Sequence, residues 1–131
     1  MSGFEMVETD AAPAAIGPYN QAVKAAEFVY ISGQIPLDPQ TGELVGADMR
    51  SQVERVFANL SAVAEAAGGS LGDAVRITVY LTDLSHFALV NEVMADVLSK
   101  PYPSRAAVGV AALPKGAAVE MDAVLYLPQQ A

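Results

Sequence analysis

The sequence predicts an α+β fold, a single sheet with two helices on one of its faces. Three observations lead there. Two segments carry the three- and four-residue apolar spacing of amphipathic helices, while the remaining ordered segments are short and alternate or concentrate β-branched residues. These segments come as strands first and helices later, without the regular alternation of a doubly wound sheet. The chain of 131 residues, 53% hydrophobic, suits one domain, residues 1–131, with a sizeable core.

Phe4-Glu5-Met6-Val7-Glu8-Thr9 alternates loosely and reads as a first strand. Asp10 to Pro18, with two prolines and a glycine, is a loop. Tyr19–Ala25 and Phe28–Ser32 are two short strands joined tightly at Ala26-Glu27, a hairpin without the usual Asn-Gly. Ser32 to Gly42 is turn-rich, and Gly33 there allows close backbone approach. The first helix shows in Val53, Val56, Phe57, Leu60, Val63, Ala64 and Ala67, with Asp48 as cap and Gly68-Gly69 as stop. In the next strand Val75, Ile77, Val79 and Leu81 should face the helices, and Arg76, Thr78 and Tyr80 the other way. A second helix spans about Ser85 to Leu98, capped by Asp83 or Ser85, with Leu84, Phe87, Val90, Val93, Met94 and Val97 as its stripe. After a Pro-x-Pro corner at Pro101 and Pro103 come a strand over Arg105–Val110, a turn at Leu113–Gly116 and a last strand from Ala117 to Leu127.

The sheet is therefore largely antiparallel or mixed. Its second face should carry Arg76, Thr78, Tyr80, Arg105, Ala107, Gly109, Glu120, Asp122, Val124 and Tyr126. That mixture is too apolar for plain solvent and too charged for a core. A subunit interface with polar pockets explains it best.

Seven basic residues against fifteen acidic ones give a net charge of −8, and the basic ones are dispersed in sequence. Such a surface repels phosphate backbones and anionic lipid heads, which argues against nucleic-acid and membrane partners. There is no apolar stretch of membrane-spanning length and no secretory signal, and cysteine is absent, so disulfide and thiolate chemistry are excluded and the cytoplasm is expected. A single histidine, His86, at a helix start where solvation is expected, supplies no metal-ligand set. No phosphate loop and no Gly-x-Ser-x-Gly elbow occurs.

Arg105 stands among alanines, valines and glycine in its strand. A guanidinium keeps its charge, so burial requires a carboxylate or an anionic ligand opposite it. It is either a fork for a substrate carboxylate, an ion-pair partner of Glu120 or Asp122, or a solvated edge residue. Glu120 and Asp122 lie two apart, so both leave one face of the last strand. If that strand pairs with the Arg105 strand across Leu113–Gly116, the three charges converge, as an acid/base site or as a structural bridge. Asn91, at the margin of the second helix's stripe, and Tyr19, after Gly17-Pro18, are either ordinary half-buried side chains or pocket walls.

Several segments carry a resemblance in order and spacing: Ala14-Ala15-Ile16-Gly17-Pro18-Tyr19-Asn20-Gln21-Ala22, Ile31-Ser32-Gly33-Gln34-Ile35-Pro36, Thr41-Gly42-Glu43, Asn59-Leu60, Pro103-Ser104-Arg105, Val108, Leu113-Pro114 and Val119-Glu120-Met121. From about Ala11 to Leu127 the chain resembles the reactive-intermediate (imine/enamine) deaminase family, RidA/YjgF-like. The resemblance implies a chorismate-mutase-like subunit in a homotrimer, with sheets lining the centre and pockets between neighbouring subunits. It implies hydrolysis of 2-imino acids or their enamines to 2-keto acids and ammonia, as a metabolite damage-control activity, with no cofactor. Carried over by position, Arg105 clamps the substrate carboxylate, and Tyr19, Ser32, Gly33, Asn91 and the Ala107 backbone shape the pocket. The water-positioning carboxylate falls at Asp122, with Glu120 on the same face as a substitute. Two departures stand out: Ala107 where many members have Cys, and Asp122 where deaminating members usually have Glu. Asp122 is therefore the feature favouring a second reading, a regulatory trimer that binds small carboxylates with little turnover. A third, endoribonuclease or translation inhibitor, is opposed by the charge and the lone histidine.

Overall fold

A computed structural model describes residues 3–46 and 48–128 of the chain. Six strands, β1 (Phe4–Val7), β2 (Ala22–Ala25), β3 (Phe28–Gln34), β4 (Ala74–Leu81), β5 (Ser104–Gly109) and β6 (Val119–Tyr126), form one sheet. The helices are α1 (Met49–Ala66) and α2 (Phe87–Val97). Strand order is β1-β2-β3-β6-β4-β5, and only β4 with β5 is parallel. The α+β class expected from the sequence is the one observed. No helix among the described residues is long and apolar enough to cross a membrane.

Local chemistry sets the elements. Asp48 is extended and its carboxylate accepts from the Ser51 N–H, satisfying one of the free donors at the start of α1. The chain leaves that helix through Gly68 at φ +96°, where a side chain would be strained. Ala25 opposes Phe28 across a two-residue link in which Ala26 takes φ +53°, so the hairpin forms without glycine. Val53, Val56, Leu60 and Val63 of α1 and Val90 and Val93 of α2 pack on Val29, Ile77, Val79, Leu81, Met121 and Leu125 in one core.

Three expectations are corrected. Val75 does not face the helices: the β4–β6 register shifts between Ala74 and Arg76, so Ala74 takes the inward place and Val75 stays 43% exposed. Leu84 and Val97, at the two ends of the α2 segment, are also exposed. The Leu113–Gly116 turn does not join β5 to β6 as a hairpin. β4, α2 and β5 form a parallel crossover unit, and β6 inserts between β3 and β4. In that register Arg105 lies beside Ile77 and Ala107 beside Val79, so both point to the helix side. Tyr80 opposite Glu120, and Thr78 opposite Asp122, occupy the other face as expected. Arg105 and the carboxylates of its own subunit are thus separated by a strand and by the thickness of the sheet.

Candidate active site

The chemistry divides between two places. The first is a cavity of about 380 Å³ bounded by the 13–19 loop, the end of β3, the following loop and β6, with Tyr19, Ser32, Gly33, Ile35 and Glu120 in its lining. Its floor is an irregularity in the ladder. Ile31 pairs with Ala123 and Gln34 with Met121, so Ser32 and Gly33 together span the single position of Asp122. Such a bulge bends the strand and re-aims its groups. The Glu120 carboxylate comes up against the bend, where a Cβ on Gly33 would lie 1.9 Å from Oε2. Only glycine leaves that space, which is the close approach anticipated from sequence.

The walls are stapled by buried amides. Gln21 Nε2 donates to the carbonyls of Thr9 (3.0 Å) and Pro13 (2.8 Å), and its Oε1 accepts from Thr9 N–H at 2.7 Å. The Ser32 hydroxyl donates to the Asn20 carbonyl at 2.7 Å, tying β3 to the segment that carries Tyr19. Asn59, fully buried on α1, donates from Nδ2 to the Ile35 and Leu37 carbonyls at 3.2 and 3.0 Å. It holds the loop after the bulge against the helix. Neither Gln21 nor Asn59 was picked out as a site residue in the sequence. Asn59 carried a signal, an amide inside the apolar stripe between Val56 and Val63; Gln21 carried none.

Burial raises the proton affinity of Glu120 above the ordinary carboxylate range, and the negative charge of Asp122 adds to the effect. No lysine or arginine lies within ion-pair distance of either carboxylate among the described residues. A half-buried carboxylate with a raised proton affinity, at the edge of a cavity, has the properties of a general base.

The second place is the α2–β5 edge. Arg105 Nη1 donates to Asn91 Oδ1, its guanidinium lies 4.7 Å from the centre of the Phe87 ring, and Met94 Sδ sits 3.9 Å from Nη1. The planar group is thereby held by an amide and an aromatic face, with no carboxylate within ion-pair distance among the described residues. Arg105, Asn91, Met94, Tyr102 and Pro103 border a second cavity of about 390 Å³. Ala107, two residues along β5, packs partly against the core.

The structure therefore gathers Tyr19, Ser32, Gly33 and Glu120 in one pocket and Arg105 with Asn91 in another. Asp122 lines neither. Its Oδ2 accepts from the Tyr80 hydroxyl at 3.0 Å, and Glu120, expected only as a substitute, is the carboxylate at the cavity. The register shift in β3 sets Gly33 against the Glu120 carboxylate. His86, expected to be solvated, is half-buried, with Nδ1 enclosed and unpartnered. No group of three or more metal-ligating side chains occurs among the described residues.

A family model described as Endoribonuclease L-PSP matches residues 9–127, a span that includes both pockets. The chain belongs to the RidA/YjgF family. Within the RidA/YjgF family it is 38% identical over 127 residues to the 2-iminobutanoate/2-iminopropanoate deaminase of Dermatophagoides farinae, covering 97% of this chain and 99% of the relative. The crystal structure of RidA from an Antarctic Psychrobacter superposes with a TM-score of 0.91 at 56% identity, covering 94% of this chain and 99% of the other. That of Escherichia coli TdcF with bound serine superposes at 0.88 and 42% identity, covering 93% and 98%.

Proposed function

We propose that the chain is a 2-imino acid deaminase, a hydrolase for 2-iminobutanoate- and 2-iminopropanoate-like substrates and their enamines. The observation that carries the reading is the pairing of two half-sites, a guanidinium fork held by Asn91 and Phe87 and a base-competent carboxylate at a cavity. Neither has an ion-pair partner among the described residues. One subunit keeps them on opposite faces of its sheet. A homotrimer with pockets between subunits brings the Arg105 edge of one copy against the Glu120 cavity of the next. The mixed face around Tyr80 and Tyr126 is the surface such an assembly covers. A deaminase relative and a serine-bound neighbour support the small-carboxylate chemistry.

Arg105, pre-set by Asn91 and Phe87, grips the substrate carboxylate in bidentate fashion and fixes C2. Glu120 takes a proton from water as its oxygen adds to C2. The C=N electron pair moves to nitrogen, to which Glu120 returns its proton. Collapse of the adduct forms C=O and breaks C–N as the hydroxyl proton passes by way of Glu120 to the leaving nitrogen, which departs as ammonia. Tyr19, Ser32, Gly33 and the Ala107 backbone shape the pocket. Glu120 replaces Asp122 as the water-orienting group because it is the carboxylate that borders the cavity.

The test generates 2-iminobutanoate or 2-iminopropanoate in situ and follows keto-acid release by wild type, Arg105→Ala and Glu120→Gln. Loss in both variants is expected, and equal rates in all three would sink the assignment. A trimer that only binds small carboxylates would instead gain thermal stability from 2-keto acids and release no keto acid above the uncatalysed rate.

A further inference from the structure

We infer that Asp122, anchored by the Tyr80 hydroxyl, is a positioning residue for Glu120, a second carboxylate whose fixed charge strengthens the pocket carboxylate as a base. The inference rests on the reading of Glu120 as the proton acceptor. β6 alternates, so Glu120 and Asp122 leave one face about 7 Å apart along the strand. Tyr80 stands opposite Glu120 but reaches diagonally to donate to Asp122 Oδ2 at 3.0 Å. That bond fixes where the second charge sits. Burial, and then the contact with Asp122, raise the Tyr80 hydroxyl above its usual range, so it remains a donor wherever the enzyme works.

Among the described residues, the other groups on this face stand further along the sheet or carry no charge. β4 contributes Tyr80 and, further along opposite Val124, Arg76. β3 contributes Ser32 and Gly33, which do not titrate, and Tyr30, which stands opposite Val124 as far along the sheet as Arg76. The loop across the cavity contributes Tyr19. Lys115, near the end of the cavity, donates from Nζ to the Gly42 carbonyl at 3.1 Å. Asp122 is therefore the charged side chain closest in kind and place to act on Glu120, and its effect on that carboxyl adds to the effect of burial.

The experiment uses the full-length protein with glutamate labelled by carbon-13 at Cδ. The Glu120 resonance is identified by its loss in Glu120→Gln, and its midpoint is followed by NMR titration in wild type, Asp122→Asn, Asp122→Ser and Asp122→Glu. Removing the charge is expected to move the Glu120 midpoint to lower pH, together with the acid limb of kcat/KM. Asp122→Glu should keep both near wild type. A Glu120 midpoint unmoved in both charge-removing variants, with Glu120→Gln inactive, overturns the role given to Asp122. A Glu120→Gln protein with wild-type turnover overturns instead the reading of Glu120, so the two failures are told apart.

Discussion

Gly33→Ala puts the pocket geometry under direct load. The φ of Gly33 lies outside the left-handed region, so alanine meets no backbone strain there. The new Cβ would fall 1.9 Å from Glu120 Oε2 and 2.9 Å from its Cδ. Reaching ordinary contact, at about 3.4 Å, moves the carboxylate oxygen by about 1.5 Å. Because the colliding atoms end a flexible side chain, the collision is relieved by turning Glu120 and not by opening the sheet. A misplacement of about 1 Å in a reacting group lowers rate on the order of 10²-fold. The expected result is a fall of about that size in kcat/KM for 2-iminobutanoate hydrolysis, with the melting temperature within a few degrees of wild type. Full activity in Gly33→Ala would refute the placement of Glu120 at the reacting centre, since the two cannot occupy their present positions together.

Further outcomes follow from the same geometry. Arg105→Lys keeps the charge but loses the planar fork stacked on Phe87; steady-state kinetics should show KM raised about tenfold or more, from about 1.5–3 kcal/mol of charge-assisted bonding. Glu120→Gln should raise the melting temperature at neutral pH while abolishing turnover. The folded state holds Glu120 with a raised proton affinity, so folding is penalised once pH exceeds the unfolded carboxyl value, and the penalty vanishes below it. Thermal melts at neutral pH and below about pH 4 should therefore show the stabilisation at the higher pH only. Asn59→Ala leaves the Ile35 and Leu37 carbonyls buried without their donor and should cost about 2 kcal/mol or more by denaturant midpoint, with faster hydrogen exchange after the β3 bulge.

Much of this was legible in the residues themselves. Helix α1 followed from its stripe, its aspartate cap and its glycine stop, all local signals. The face shared by Tyr80, Glu120 and Asp122 followed from period-two alternation. Gly33 announced a close approach. What could not be read was which strand adjoins which. Whether β5 pairs with β6 across a short turn or with β4 as a parallel crossover is decided by packing of α2, and it reversed the face to which Arg105 points. The bulge at Ser32–Gly33 was hidden for a related reason. It is a property of the β3–β6 pair, not of either strand, and it sets Gly33 against the Glu120 carboxylate at the cavity. The resemblance places the water-positioning carboxylate at Asp122, whereas the carboxylate that borders the cavity is Glu120, two residues earlier on the same strand. Alternation places Tyr80 on the outer face, and its bond to Asp122 depends on the register between β4 and β6.

In the proposed enzyme, Arg105 and Glu120 act together only across a subunit boundary. Arg105→Ala and Glu120→Gln proteins, each inactive, can be mixed in equal amounts, unfolded and refolded together. In a closed ring of randomly mixed subunits, about a quarter of the boundaries join an intact arginine to an intact glutamate. Recovery of about a quarter of wild-type activity is the predicted result. A mixture as inactive as its two components would contradict it.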